Sequence, residues 1–286
     1  MEIKKIGVVG AGLMGAGIAQ IAASCKYKVI LRDVNLEFCE KATAKMKSGL
    51  DKRIADGKTT KEKVEETLGN IITTEKVGDL KDCDMIIEAA FERMDVKQGV
   101  FRELSGVCRD DCVFCTNTSS LPITDIMSGI VNPGRGIGMH FFFPVTAMKL
   151  VEVIRGEKTS DDTVKAVFEV ASGMGKTAVE CKTDTPGFIV NRCLFAFMLE
   201  AVRCYEAGVA SAEDIDTAVK LGLNHPLGPF EMMDLSGLDS FPHVCESLSS
   251  LPVTDWSTPK SVEKLIEQGD LGRKTGRGWH DYKAGK

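Results

Sequence analysis

Short apolar runs alternate with longer segments of helical period up to about residue 182, and after that only helical patterns remain. The short runs fall at 3–9, 28–31, 71–73, 85–88, 113–116, 136–141, 150–154 and 176–179, each of strand length and bounded by turn residues. Helical period marks 11–23, a lysine-rich stretch over 36–69 broken near Asp56-Gly57, and 94–107. The later helical segments are 188–207, 212–221, 229–248 and 260–268. Strands alternating with helices predict a mainly parallel, doubly wound α/β sheet of the Rossmann type. The break Asp184-Thr185-Pro186-Gly187 then separates a sheet domain, 1–184, from a smaller all-helical domain, 185–286.

The first strand and helix meet at G-A-G-L-M-G, Gly10 to Gly15. Asp33 closes the next strand. A G-x-G-x-x-G between strand and helix, with an acid about 20 residues on, is the dinucleotide-binding fingerprint. Gly10 permits the tight turn, and Gly12 lets the backbone approach a pyrophosphate. Gly15 allows helix and strand to pack closely. Leu13 and Met14 sit between, in the first helical turn, where N–H groups point at phosphate. Asp33 suits a ribose 2′-hydroxyl and repels a 2′-phosphate, which predicts NAD rather than NADP; Arg32 beside it would soften that choice. Read without a ligand, the same glycines make a tight turn.

Composition narrows the class. At 286 residues the chain has room for two domains. A net charge of −5 gives no general attraction to nucleic acid or an anionic membrane. No run is long enough to span a membrane, and the chain enters its first strand at once, so a cytoplasmic enzyme without a leader is expected. Ten cysteines then read as reduced thiols. Cys112 and Cys115 have C-x-x-C spacing, but strand residues three apart point to opposite faces. They read as ordinary buried cysteines, and no metal site is expected.

Hydride transfer at a carbonyl needs a proton partner, and histidine is the usual one. Of four histidines, His243 lies in a predicted helix, His280 near the end, and His225 in the turn N-H-P-L-G-P. His140 ends a predicted strand in G-M-H-F-F-F-P, where ligands of open α/β sheets gather. It reads as the base, or else as a satisfied histidine in an aromatic core. Glu152 interrupts the apolar strand at 150–154; it would orient His140 and raise its basicity, or face solvent or bridge to Lys149. Asn117-Thr118-Ser119-Ser120 follows another strand. Asn191 and Arg192 open the first helix past the boundary. Both clusters can hold substrate oxygens, or serve as helix caps and surface.

These segments, with T-N-T-S-S-L, M-K-L-V-E-V-I-R-G, T-P-G-F-I-V-N-R and L-G-R-K-T-G-R-G-W, resemble the L-3-hydroxyacyl-CoA dehydrogenase family over the whole length, and in particular its short bacterial 3-hydroxybutyryl-CoA members. The resemblance implies His140 as base, Glu152 as its orienting partner, and Ser119 and Asn191 as substrate-oxygen contacts. It places nicotinamide-side and ribose contacts on Glu92, Lys97 and Asn117, and a coenzyme A contact on the lysine-rich hairpin, with Lys52 the candidate. The expected activity is reversible NAD-linked interconversion of a short-chain (S)-3-hydroxyacyl-CoA and its 3-ketoacyl-CoA, in a homodimer joined through the helical domain. Alternatives are a dehydrogenase of a free hydroxy acid or sugar acid, and an NADH-sensing protein without turnover. Two departures stand out. Phe143 occupies the asparagine position of the family's H-F-F-N-P, and 241–258 matches the family poorly. The Gly272-Arg273-Lys274-Thr275-Gly276 cluster matches the family's C-terminal turn and is not a phosphate loop.

Overall fold

The computed structural model describes residues 2–251 and 255–282. The chain divides into two compact units, residues 1–185 and 186–286. In the first, all eight apolar runs are strands: β1 Lys5–Val9, β2 Lys28–Arg32, β3 Ile71–Thr74, β4 Met85–Glu88, β5 Val113–Thr116, β6 Gly136–Phe141, β7 Leu150–Ile154 and β8 Thr177–Cys181. They form one sheet in the order β3-β2-β1-β4-β5-β6-β7-β8. Every pairing is parallel except β6 with β7. The chain first builds outward from β1 through β2 to β3, then returns to the other side of β1 with β4. The strand order therefore reverses beside β1, and a crevice opens there beyond the carboxyl ends.

Central strands are buried throughout, as a sheet covered on both faces requires. The covering helices of this unit are α1 Leu13–Ser24, α2 Leu36–Ala55, α3 Lys61–Gly69, α4 Met94–Ser105, the short α5 Ile123–Ile126 and α6 Asp161–Gly173. Local sequence sets their ends. Asn35 accepts from the Glu37 N–H to start α2, Thr60 from Lys63 to start α3, and Ser160 from Thr163 to start α6. Gly57, at φ +68°, ends the run that separates α2 from α3. By contrast α1 starts at Gly12 with no side-chain cap, so its first N–H groups stay available to a ligand.

The second unit is helical: α7 Val190–Glu206, α8 Ala212–Leu223, α9 Pro229–Ser236, α10 Phe241–Leu248 and α11 Lys260–Glu267. Its core gathers Leu199, Val202, Phe230, Leu238, Phe241 and Leu248. The apolar period predicted a single helix over 229–248. Gly237 divides it: its φ of +91° is incompatible with a continuous helix. The pattern had also marked no helix at α5 or α6. Two buried carboxylates tie down the C-terminal turn. Asp234 accepts from the Trp279 and His280 N–H groups and the Tyr282 hydroxyl, while Asp216 lies 2.7 Å from His280 Nε2. The Gly272–Gly276 cluster is part of that turn: the Arg273 N–H donates to the Asp234 carbonyl, and no helix follows it among the described residues. No helix among the described residues is long and apolar enough to cross a membrane.

Candidate active site

The crevice beside β1 holds a cavity of about 990 Å³ lined by Gly10, Gly12, Leu13, Met14 and Asp33, among others. Each glycine does a different job. Gly10 has φ +102°, and a Cβ there would lie 2.5 Å from the Ala89 carbonyl oxygen. A Cβ on Gly15 would lie 1.8 Å from the Gly10 oxygen, so helix and turn could not close. A Cβ on Gly12 would meet nothing within 4 Å of the protein; that space lies in the cavity, beside the uncapped start of α1. Such a turn is shaped for a diphosphate rather than merely for a tight bend. Asp33 is fixed by both oxygens, one accepting from Ala11 N–H at 2.6 Å and the other from Val34 N–H at 2.7 Å. Arg32 does not compete with it: its Nε donates to the Glu75 carbonyl at 3.3 Å. The residues present therefore fit NAD: Asp33 would suit a ribose hydroxyl and the glycine turn a diphosphate.

Farther along the same carboxyl edge, β6 and β7 pair so that His140 directly opposes Glu152. Glu152 Oε2 lies 2.8 Å from His140 Nδ1, and Ser119 Oγ lies 3.0 Å from Nε2. His140 is 4% exposed and Glu152 is 1%. Against an ionised Glu152, which can only accept, Nδ1 is the donor, and Nε2 faces Ser119 Oγ. The Phe142 ring packs on the imidazole at 4.6 Å between centroids. Neither Lys149 nor solvent takes Glu152, the alternatives open from sequence.

A third group of charges supports Ser119. Glu92 Oε1 accepts from the Thr118 hydroxyl at 2.5 Å and from the Ser119 and Ser120 N–H groups at 2.8 and 3.2 Å. Its other oxygen meets Lys97 Nζ at 3.2 Å. Lys97 also donates to Glu88 Oε1 at 2.8 Å, and Glu88 Oε2 accepts from the Thr116 hydroxyl. Partial desolvation opposes ionisation of Glu92, but Lys97 and the Thr118 and Ser119 donors outweigh it and hold the carboxyl below its usual range. Asn117 joins the strand ends: its N–H donates to the Glu88 carbonyl, and its Oδ1 accepts from the Phe141 N–H. The family resemblance points to Glu92, Lys97 and Asn117 as cofactor contacts; the structure joins them through Glu88, which the sequence does not mark. The missed signal is a lysine on the buried stripe Lys97, Phe101, Leu104 of α4, which demands a carboxylate partner.

Other expected residues lie elsewhere. Asn191 and Arg192 belong to the second unit, in the first turn of α7. Lys52 is exposed on α2 and does not line the cavity; Lys41, Lys45 and Arg53 of that helix do. The density of lysines on α2 hides which of them face the cavity. Cys112 and Cys115 are both buried.

Residues 5–185 match the NAD-binding domain of 3-hydroxyacyl-CoA dehydrogenase, and residues 187–282 match its C-terminal domain. The chain belongs to the 3-hydroxyacyl-CoA dehydrogenase family. Its first unit is thus an NAD-binding domain, and the protein is an oxidoreductase of that family. It is 43% identical to the 3-hydroxybutyryl-CoA dehydrogenase of Clostridioides difficile, over 97% of this chain and 99% of the relative. It is 40% identical to the mitochondrial hydroxyacyl-coenzyme A dehydrogenase of Homo sapiens, over 98% of this chain and 92% of that one. Among solved structures, (S)-3-hydroxybutyryl-CoA dehydrogenase from Ralstonia eutropha superposes with a TM-score of 0.94 at 38% identity, covering 98% of this chain and 99% of the other.

Proposed function

We propose that this 3-hydroxyacyl-CoA dehydrogenase interconverts (S)-3-hydroxybutyryl-CoA and acetoacetyl-CoA. The observation that carries this reading is the chain Ser119–His140–Glu152 at the carboxyl edge of the NAD-binding sheet. Bound NAD supplies the hydride acceptor. His140 Nε2 takes the substrate hydroxyl proton as the carbon is oxidised, and Glu152 stabilises the imidazolium that results. In the reverse direction that imidazolium protonates the carbonyl oxygen. Ser119 Oγ donates to the same oxygen. Gly10, Gly12, Leu13, Met14, Gly15 and Asp33 would hold the cofactor, and Glu92, Lys97 and Asn117 would support its nicotinamide side. Lys52, helped by the cationic residues of α2, attracts the phosphates of coenzyme A. The enzyme works in the cytoplasm as a homodimer joined through its helical unit, whose exposed Leu221, Leu223 and Leu235 suit a partner surface.

Loss of NADH absorbance with acetoacetyl-CoA, compared with free acetoacetate, tests the assignment. Turnover of the thioester well above that of the free acid is expected. Equal or better use of the free acid would transfer the enzyme to the hydroxy-acid class, and no turnover of either would leave an NADH-binding protein.

A further inference from the structure

Three large apolar side chains stand out in solvent around the cofactor cavity and line it: Leu13 is 63% exposed, Phe91 83% and Phe143 63%. Folding ordinarily hides such residues, and a group of them at one cavity marks a surface kept for a ligand. Their order along the sheet edge says which part of the ligand. Asp33 follows β2, the glycine turn follows β1, Phe91 lies three residues past the end of β4, and Phe143 lies past the end of β6. The uncapped start of α1, where a diphosphate would bind, lies in the middle of that row. Asp33 marks the adenosine side, so Phe91 and Phe143 stand on the other side, toward His140.

The segment carrying Phe143 is also held against the cofactor helix. A Cβ on Gly17 of α1 would come within 2.9 Å of the Val145 side chain, which therefore packs directly on the bare α1 backbone there. Phe142 packs on His140 while its neighbour Phe143 lines the cavity, so one short stretch touches the proposed base and the cofactor space. A flat ring with an apolar face is the complement of an exposed phenyl group.

We propose that Phe143, with Phe91 farther along the same cavity, forms an aromatic wall for the nicotinamide ring, so that Phe143 sets how tightly the enzyme holds the reacting half of its cofactor. The inference rests on the proposed placement of NAD in the cavity. It assigns Phe143 to the cofactor rather than to the acyl chain.

ADP-ribose contains everything in NADH except the nicotinamide, and it separates the two halves. Dissociation constants for NADH by fluorescence titration and for ADP-ribose by calorimetry are measured on the wild type and on Phe143→Ala, Phe143→Asn and Phe143→Tyr. The exposed position leaves folding intact, which a thermal melt checks. Alanine and asparagine are expected to weaken NADH about tenfold, the size of a lost ring contact plus its buried area. ADP-ribose stays within about twofold, a change smaller than the uncertainty in such contact energies. Tyrosine keeps the wall and binds NADH like the wild type. Equal weakening of both ligands, no weakening of either, or a change confined to the KM for acetoacetyl-CoA would overturn the inference. Failure of the wild type to bind NADH or ADP-ribose would instead overturn the placement of the cofactor itself.

Discussion

Replacing Glu88 by leucine should be among the most damaging single changes in the sheet unit. Glu88 is fully buried, and it receives Lys97 Nζ and the Ala90 N–H on one oxygen and the Thr116 hydroxyl on the other. Leucine has similar bulk, so no large cavity opens. What disappears is the counter-charge of an ammonium that is itself 1% exposed. Removing one partner of a buried ion pair costs about 3–5 kcal/mol. Lys97 keeps Glu92 at 3.2 Å, a half-exposed carboxylate, so the loss falls at the lower end, about 3 kcal/mol. For a domain of this size that is a drop in Tm of about 6–12 °C. Adding Lys97→Met removes the stranded charge. The double variant should then recover most of the loss, because apolar replacement of a whole buried pair is often neutral. Urea denaturation of wild type, both single variants and the double variant closes the cycle. A loss below about 1 kcal/mol for Glu88→Leu, or a double variant no more stable than Glu88→Leu, would refute the view that charge pairing holds this corner.

His140→Ala should cut turnover by about 10²–10⁴-fold while NADH titration stays unchanged; Glu152→Gln should reduce kcat in the same direction, and normal kcat in His140→Ala would remove it as base. Asp33→Ala should narrow a preference for NADH over NADPH, read from the ratio of kcat/KM values, and a wild type preferring NADPH would contradict the 2′-hydroxyl assignment. Because the Glu92 carboxyl titrates below its usual range, its contribution to stability is complete above about pH 4.3 and fades as pH falls through the lowered value. The stability gap between wild type and Glu92→Gln should therefore be widest near neutrality and shrink in acid; a gap that grows on acidification has the wrong sign. Lys52→Gln should raise the KM for acetoacetyl-CoA by less than about fivefold, the scale of one exposed charge contact, and added salt should erase the difference.

Much of the fold was legible because each strand is a bounded apolar run of the right length and the helices keep their own period. The cofactor turn was legible for the same local reason: Gly10 and Gly15 have no room for a Cβ, and Gly12 faces open space. The nearness of His140 and Glu152 was readable only as chemistry, a carboxylate stranded in an apolar strand looking for a partner. Glu88 escaped because a glutamate at the end of M-I-I-E reads as the start of a loop, while its partner lies on another element. The division of 229–248 escaped because Gly237 barely disturbs the apolar period, although its backbone cannot be helical. Which of the α2 cations line the cavity is a matter of helix rotation against the sheet, and a lysine-rich face gives no contrast to reveal it.

Strand β7 is paired on both sides, and this gives an edge element with no chemistry of its own a part in aligning His140 with Glu152. Side chains on a strand alternate between faces, so a slip of one residue would take Glu152 away from the imidazole and put Val151 or Val153 opposite it. The eight residues between β6 and β7 are loop and do not by themselves define that alignment. The second constraint comes from β8, which pairs Val179 with Glu152 in parallel. The outermost strand thus acts as a ruler, keeping His140 and Glu152 in step from the far side. Damage to it would loosen the register that sets His140 against Glu152.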